Sequence, residues 1–525
     1  MFLKRKVPLN LSEICLDSLV KNSAIFLEKS KFFFNRLVIY FSFLLIPVWI
    51  QKTLELNLFS QAIMMLLYMV FIASQWYLLG KEIDHRLKIY FRANSSIDRV
   101  VYRLLVGSAF TVFFFNIVLL FPQDWTKHFF WGFWVILGLF YSWPTRGKII
   151  EESVSTQFGE YRHLDNFEKT VLFLTILMVL VSIPSFPYFD NLDSLKILID
   201  PDEKVSQQYW NFLSVNYFPF KRFPHLMYIA WCLHFYIVGA VFYLLSFYGV
   251  LRFFFSRRLS ILGLFALVST WSWSLLLQKD PFSALLTCFP VVWIWGLLWA
   301  AKSATYRAGL MYGLLCFFGT LLNYHFFPLF PIGLVMLMTW HMKDKTPWYR
   351  QQFLRYTALG LVGCFFVFLY HIDLQIFGHG WSIEGFRVFM TNLIKRKAFF
   401  SLSLVGFVVL VLAYAPMTRK KFAEFTLDRS RMSHLMVAVL MLLLMGLTLE
   451  KNILRGFGMM WLLAFIALVP LEWIFQVISR LRSKRNFIYV VYILICLLDS
   501  HFEGRVRITA KFFKNTPSQS RASQN

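Results

Sequence analysis

Three carboxylates crowd one short polar stretch of this chain. In LKILIDPDEKVSQQYW (195–210), Asp200, Asp202 and Glu203 fall within four positions, with long apolar runs on either side. Pro201 restricts Asp200 to an extended backbone. A carboxylate at a boundary between water and low-dielectric protein has its ionisation pushed upward, toward the range useful to a general base. Two such acids side by side can also hold a divalent cation, the one cofactor these residues suggest. A further acid, Asp280, stands before Pro281 in LLLQKDPFSALL (275–286), where it also suits the N-cap of the next helix.

Cations accompany these acids. Lys204, Lys221, Arg222 and His225 follow the first group, and Arg387, Lys395, Arg396 and Lys397 come later. Such side chains can hold a departing phosphate or a lipid headgroup. GTLLNYHFFPLFP puts Asn323, Tyr324 and His325 together at one helix end. Each feature alone has a plainer role: a solvated acidic loop, a helix cap, interfacial charge, a structural histidine. Their interest lies in the side of the membrane they share.

The elements that must position them are membrane helices. The chain has 525 residues, 58% of them hydrophobic and only 15% charged, too few polar residues to cover a water-soluble protein of this size. Apolar runs occupy approximately 33–50, 60–79, 101–121, 129–143, 168–186, 225–250, 259–277, 283–301, 305–323, 326–340, 355–371, 399–416, 433–449, 456–477 and 487–499. They are continuous rather than alternating, which excludes a β-barrel. The expected fold is all-α, a polytopic transmembrane bundle of roughly 13–15 helices.

Charge sets the orientation. The net charge of +25 is gathered between apolar runs, as the positive-inside rule expects, so no nucleic-acid partner is implied. The basic loops KEIDHRLKIYFRANSSIDR (81–99), TRGKIIEESVSTQFGEYRH (145–163), FSRRLS, HMKDKTPWYRQQFLR, TRKKFAEFTLDRSR and SRLRSKRN all have one parity in the helix count. They and the N-terminus are expected in the cytoplasm, with the acidic loop (187–224), Asp280 and the 372–398 loop outside. The short loops and the absence of a cleavable leader favour a bacterial inner membrane. The six cysteines form no CxxC or Cys/His pair, so neither a disulfide framework nor a zinc site is expected. Four regions follow: a basic cytoplasmic or interfacial segment (1–35), a four-helix membrane region (36–150), a transmembrane core (165–500) and a polar tail (501–525).

The order of features across roughly 165–345 resembles the GT-C class of polytopic membrane glycosyltransferases, and is similar to protein O-mannosyltransferases and lipid A aminoarabinose transferases. IDPDEKVSQQYW takes the place of that class's acidic outer loop, and FKRFPHLMYIAWCLHFYIVGAVFYLL that of its proline-led return helix. FFFSRRLSILGLFALVSTWSW matches the basic turn, QKDPFSALLTCFPVVWIWGLLWA the second acidic residue and its helix, and YRAGLMYGLLCFFGTLLNYHFFPLFPIGLVML the aromatic and glycine helix pair. The chain departs from the pattern in its four leading helices and in Asn323, which stands where the class has lysine.

The resemblance implies transfer of a sugar from a polyprenyl-phosphate-linked donor to a glycan, lipid or protein acceptor at the outer face. It makes Asp202, or Asp200, the general base, with Glu203 and Asp280 in support. Lys221, Arg222, His225 and Arg387 would hold the donor phosphate, and Tyr209, Asn323, Tyr324 and His325 would position substrate. The other readings are a lipid or lipid-linked-sugar transporter or flippase, an enzyme like the O-antigen ligases, and a non-catalytic membrane assembly protein.

Overall fold

The computed structural model describes residues 33–46, 58–86, 96–118, 123–142, 164–182, 207–217, 220, 224–269, 281–303, 306–323, 326–341, 397–414, 432, 435–440, 442, 460–477 and 485–500. Regular structure among them is helical, with no strand. In chain order the helices are α1 (Phe33–Leu44), α2 (Leu58–Arg86), α3 (Ser96–Val118), α4 (Gln123–Ser142), α5 (Asn166–Ser182), α6 (Gln207–Asn216), α7 (Pro224–Arg252), α8 (Arg257–Ser269), α9 (Pro281–Ser303), α10 (Tyr306–Leu322), α11 (Leu329–His341), α12 (Lys397–Tyr414), α13 (Met460–Val477) and α14 (Arg485–Ser500). Among the described residues, three stretches are long and apolar enough to cross a membrane: Ile63–Asp84, Asp98–Val118 and Leu233–Arg252. Large apolar side chains also face outward, among them Val38, Ile136, Phe173, Phe407 and Phe487. A surface of this kind suits hydrocarbon rather than water.

The chain divides into two compact units. One comprises 1–71 and 121–162, the other 72–120 and 163–525, so α2 begins in the first and ends in the second. In the first unit, α1 and α4 meet at Gly138, where a Cβ would fall 2.5 Å from the Tyr40 ring. That ring's hydroxyl donates to the Trp134 carbonyl at 2.7 Å. Phe71 packs against Tyr40 and Trp134, with ring centroids 5.1 and 6.3 Å away.

In the second unit, α2 and α3 cross antiparallel through glycine. A Cβ at Gly80 would overlap the Arg103 carbonyl, and one at Gly107 the Trp76 carbonyl. Small residues at a crossing let backbones approach, which is how helices associate where hydrophobic burial gives no net drive. α7 packs extensively on α9, and α9 also packs on α10 and α11. Tyr312 ties these last three together. It accepts from Trp293 Nε1 at 2.9 Å and faces the Leu329 carbonyl at 3.2 Å, in the space that Gly333 leaves open. On the other side α8, buried from Leu259 to Ser269, packs on α5, α7, α13 and α14.

Local chemistry sets several helix starts. Asp165 and Glu168 form a reciprocal capping box for α5: Asp165 Oδ1 accepts from the Glu168 N–H at 2.7 Å and Glu168 Oε2 from the Asp165 N–H at 3.0 Å. Proline opens α7 and α9, a position where its missing N–H costs nothing. Two arginines open α8 against its dipole, and the same acids offset them. Arg257 grips Glu168 through both oxygens at 2.9 Å, and Arg258 pairs with Asp165. The Glu168 carboxylate, by hydrogen bonding it, holds the Arg257 guanidinium above its ordinary value.

Helix propensity alone favours alanine over glycine by about 1 kcal/mol. At Gly107 the sign should reverse, since the Trp76 backbone cannot yield, and overpacking of that kind costs about 1–3 kcal/mol. Thermal unfolding in detergent should therefore show Gly107→Ala melting below wild type. Gly132→Ala, with nothing within 4 Å of its new Cβ, should melt at or above it. Equal behaviour of the two variants would contradict the crossing.

Candidate functional site

The stretch expected as an outer loop, 187–224, carries a helix. α6 begins at Gln207, four positions after Glu203. Its sequence, QQYWNFLSVN, is too polar to read as a membrane run, yet Phe212, Leu213, Val215 and Asn216 are all buried. α6 packs on α3 and α10. Phe212 stacks on Phe115 of α3 with centroids 6.0 Å apart, and lies 6.0 Å from Trp76 of α2.

A buried polar pair locks the end of α6 to α7. Tyr217 and His234 are both buried, and the Tyr217 hydroxyl lies 2.8 Å from His234 Nδ1. The imidazole is enclosed by rings: Trp76 meets it edge-on at 5.8 Å, Tyr217 at 5.6 Å and Phe212 at 5.9 Å. No solvent reaches this imidazole, so it serves as an anchor and not as an acid–base group. A hydrogen bond in such surroundings is costly to leave unmade, and it fixes the backbone on which the preceding segment hangs.

Three of the residues expected to build a site fall in helices that pack on α6 or belong to it. Tyr209 lies within α6, His225 is the second residue of α7, and Asn323 closes α10. Asn323 is buried, with its N–H bonded to the Gly319 carbonyl at 2.9 Å and its own carbonyl accepting from Phe326 at 3.1 Å. It terminates a helix and starts a turn. Asp200, Asp202, Glu203, Lys204, Lys221, Arg222, Asp280, Tyr324, His325, Arg387, Lys395 and Arg396 lie outside the described residues, as do the side chains of Tyr209, His225 and Lys397. No group of three His, Cys, Asp or Glu gathers among the described residues, and the acids nominated for a divalent cation are not among them.

Sequence reasoning passed over His234, although an ionisable residue inside the apolar run AWCLHFYIV is a signal in itself. It also passed over the acids at the opposite helix ends. Asp98, 1% exposed, accepts from Trp295 Nε1 at 2.7 Å. Asp84 receives Arg103 Nε at 3.2 Å, while another nitrogen of the same guanidinium donates to the Tyr77 hydroxyl at 2.9 Å.

No family model, curated protein or solved structure matches this chain.

Tyr217→Phe keeps the ring and removes only the hydroxyl that meets His234. Losing a buried hydrogen bond in this way costs about 0.5–1.5 kcal/mol. The variant should melt below wild type in detergent, whereas removing the hydroxyl of the exposed Ser214 with alanine should leave the midpoint in place. An unchanged midpoint for Tyr217→Phe would show that the pair anchors nothing.

Proposed function

We propose that this chain is a GT-C-like glycosyltransferase of a bacterial inner membrane. In this reading it moves a sugar from a polyprenyl-phosphate-linked donor to an acceptor at the outer face. The observation that carries the reading is α6. A catalytic carboxylate on a loop is useful only if the loop is held still, and here a buried helix begins four residues beyond Glu203. That helix is packed between α3 and α10 and pinned to α7 through Tyr217 and His234. The start of α7 and the end of α10 are the segments expected to supply His225 and Asn323.

The shared side of the basic helix ends has its own support. Helix ends assigned to the cytoplasm by charge parity meet one another: the start of α5 with the start of α8, and the end of α2 with the start of α3. The start of α3 also meets the last turns of α9. The buried acids Asp84, Asp98 and Glu168 sit at these ends, each with a partner. They do not run through the bundle as a chain of charges, and this favours a transferase over a transporter.

The chemistry follows from that arrangement. An acceptor hydroxyl or amine attacks the anomeric carbon of the donor as its bond to the phosphate oxygen breaks. Asp202, or Asp200, takes the acceptor's proton, with Glu203 and Asp280 supporting. Lys221, Arg222, His225 and Arg387 take up the charge gathering on the leaving phosphate. Tyr209, Asn323, Tyr324 and His325 position the substrates.

Two measurements test the reading. Purified protein given a synthetic polyprenyl-phosphate sugar should transfer label to an acceptor. Asp202→Asn or Asp200→Asn should lower turnover by about 10²–10⁴-fold with donor binding retained. Full activity in both variants would remove the acidic loop from the mechanism. Separately, a membrane-impermeant thiol reagent applied to intact cells should label Asn191→Cys and spare Ser256→Cys. The reverse pattern would invert the topology and place the acids in the cytoplasm.

A further inference from the structure

α6 is ten residues long. A helix of that length is marginal by itself, so its partners decide whether it forms. Its own sequence is polar, and the burial of Phe212, Leu213 and Val215 supplies what composition does not.

The surface that receives α6 is built in part by the leading helices. Residues 72–120 belong to the same compact unit as α6, apart from the unit formed by 1–71 and 121–162. Two rings from this stretch meet Phe212. Phe115, near the end of α3, stacks on it with the ring planes 19° apart, and Trp76 of α2 lies 6.0 Å away. Trp76 also meets His234 edge-on, so one indole touches both sides of the joint between α6 and α7. Its Nε1 makes no hydrogen bond among the described residues, and its contribution is made through the ring.

Both rings stand on braced backbone. The Trp76 carbonyl occupies the space that a Cβ at Gly107 would take. α3 is held at its start by Asp98 on Trp295, and near its end Phe113 meets Phe317 of α10 with centroids 6.4 Å apart. None of these braces involves α6.

We propose that Trp76 and Phe115 are positioning residues: they hold α6, and through it the carboxylate loop, in place for the reaction. This gives α2 and α3, which have no counterpart in the GT-C pattern, a task at the site. The effect on turnover rests on the sugar-transfer reading, and the seating of α6 does not.

Hydrogen exchange of the full-length protein in detergent, read by mass spectrometry, tests the seating. In Trp76→Leu, which loses two ring contacts, the α6 amides should exchange about ten-fold faster than in wild type. The milder Phe115→Leu should show a rise of about three-fold. The amides of Leu233–Arg252 in α7 should stay as protected as in wild type. Phe255→Leu, which removes a ring packed on Phe465 beyond the far end of α7, should leave α6 exchange unchanged. Turnover of the synthetic polyprenyl-phosphate sugar should fall by about 10²-fold in Trp76→Leu with the KM for donor retained, because a misplaced base costs rate rather than binding. Phe255→Leu should turn over as wild type. Unchanged α6 exchange in both Trp76→Leu and Phe115→Leu would overturn the proposal, as would an equal rise in Phe255→Leu. Faster exchange with full turnover would also overturn it, since α6 would then position nothing. A wild type that transfers no sugar while α6 exchange behaves as expected would remove the transferase reading and uphold the seating.

Discussion

A carboxylate buried where helices converge tolerates very few surroundings, because an unsatisfied charge there costs more than most packing can return. Asp98 stands in that position. It is met by the indole N–H of Trp295, and the indole fits because Gly249 has no side chain: a Cβ there would lie 3.0 Å from the Asp98 carboxylate and collide with the Trp295 ring. One hydrogen bond and one missing methyl group thus fix α3, α7 and α9 in a single register. From α9 the order passes to α10 and α11 through Trp293 and Tyr312, and from α7 to α6 through His234 and Tyr217.

The same economy recurs across the second unit. Several of its buried polar groups join separate helices. Tyr236 on α7 donates to the Val179 carbonyl on α5 at 2.7 Å, and Ser403 on α12 donates to the Leu463 carbonyl on α13 at 3.3 Å. Between these points the packing is aromatic, as where Phe254 and Phe255 flank Phe465. Dispersion and ring geometry give cohesion there, and the hydrogen bonds give register.

Apolar runs in the sequence located most of the helices, and Pro224 and Pro281 marked the starts of α7 and α9 closely. The errors have physical causes. α2 continues through Lys81, Glu82 and Asp84 to Arg86, because Asp84 is paired with Arg103 and need not end the helix. α6 escaped notice because its burial comes from partners distant in sequence, Phe115 above all, while its own composition is polar. Of the candidate site, the sequence offered residue types and an expected common side. The anchoring pair was not, since Tyr217 and His234 sit 17 positions apart in unlike contexts and only the fold brings them to 2.8 Å.

The way α2 is shared between the two units has a consequence for dissecting the protein. The first unit is discontinuous, made of 1–71 and 121–162, and the border between units falls inside a helix, between Phe71 and Ile72. No single cut releases it whole. A fragment beginning at His163 would spare the helices from α5 onward but strip away α3, and with it the acid that Trp295 serves. α3 is therefore no detachable appendage. Any shortened form, natural or engineered, must carry α3 along or replace Trp295 and Gly249 together.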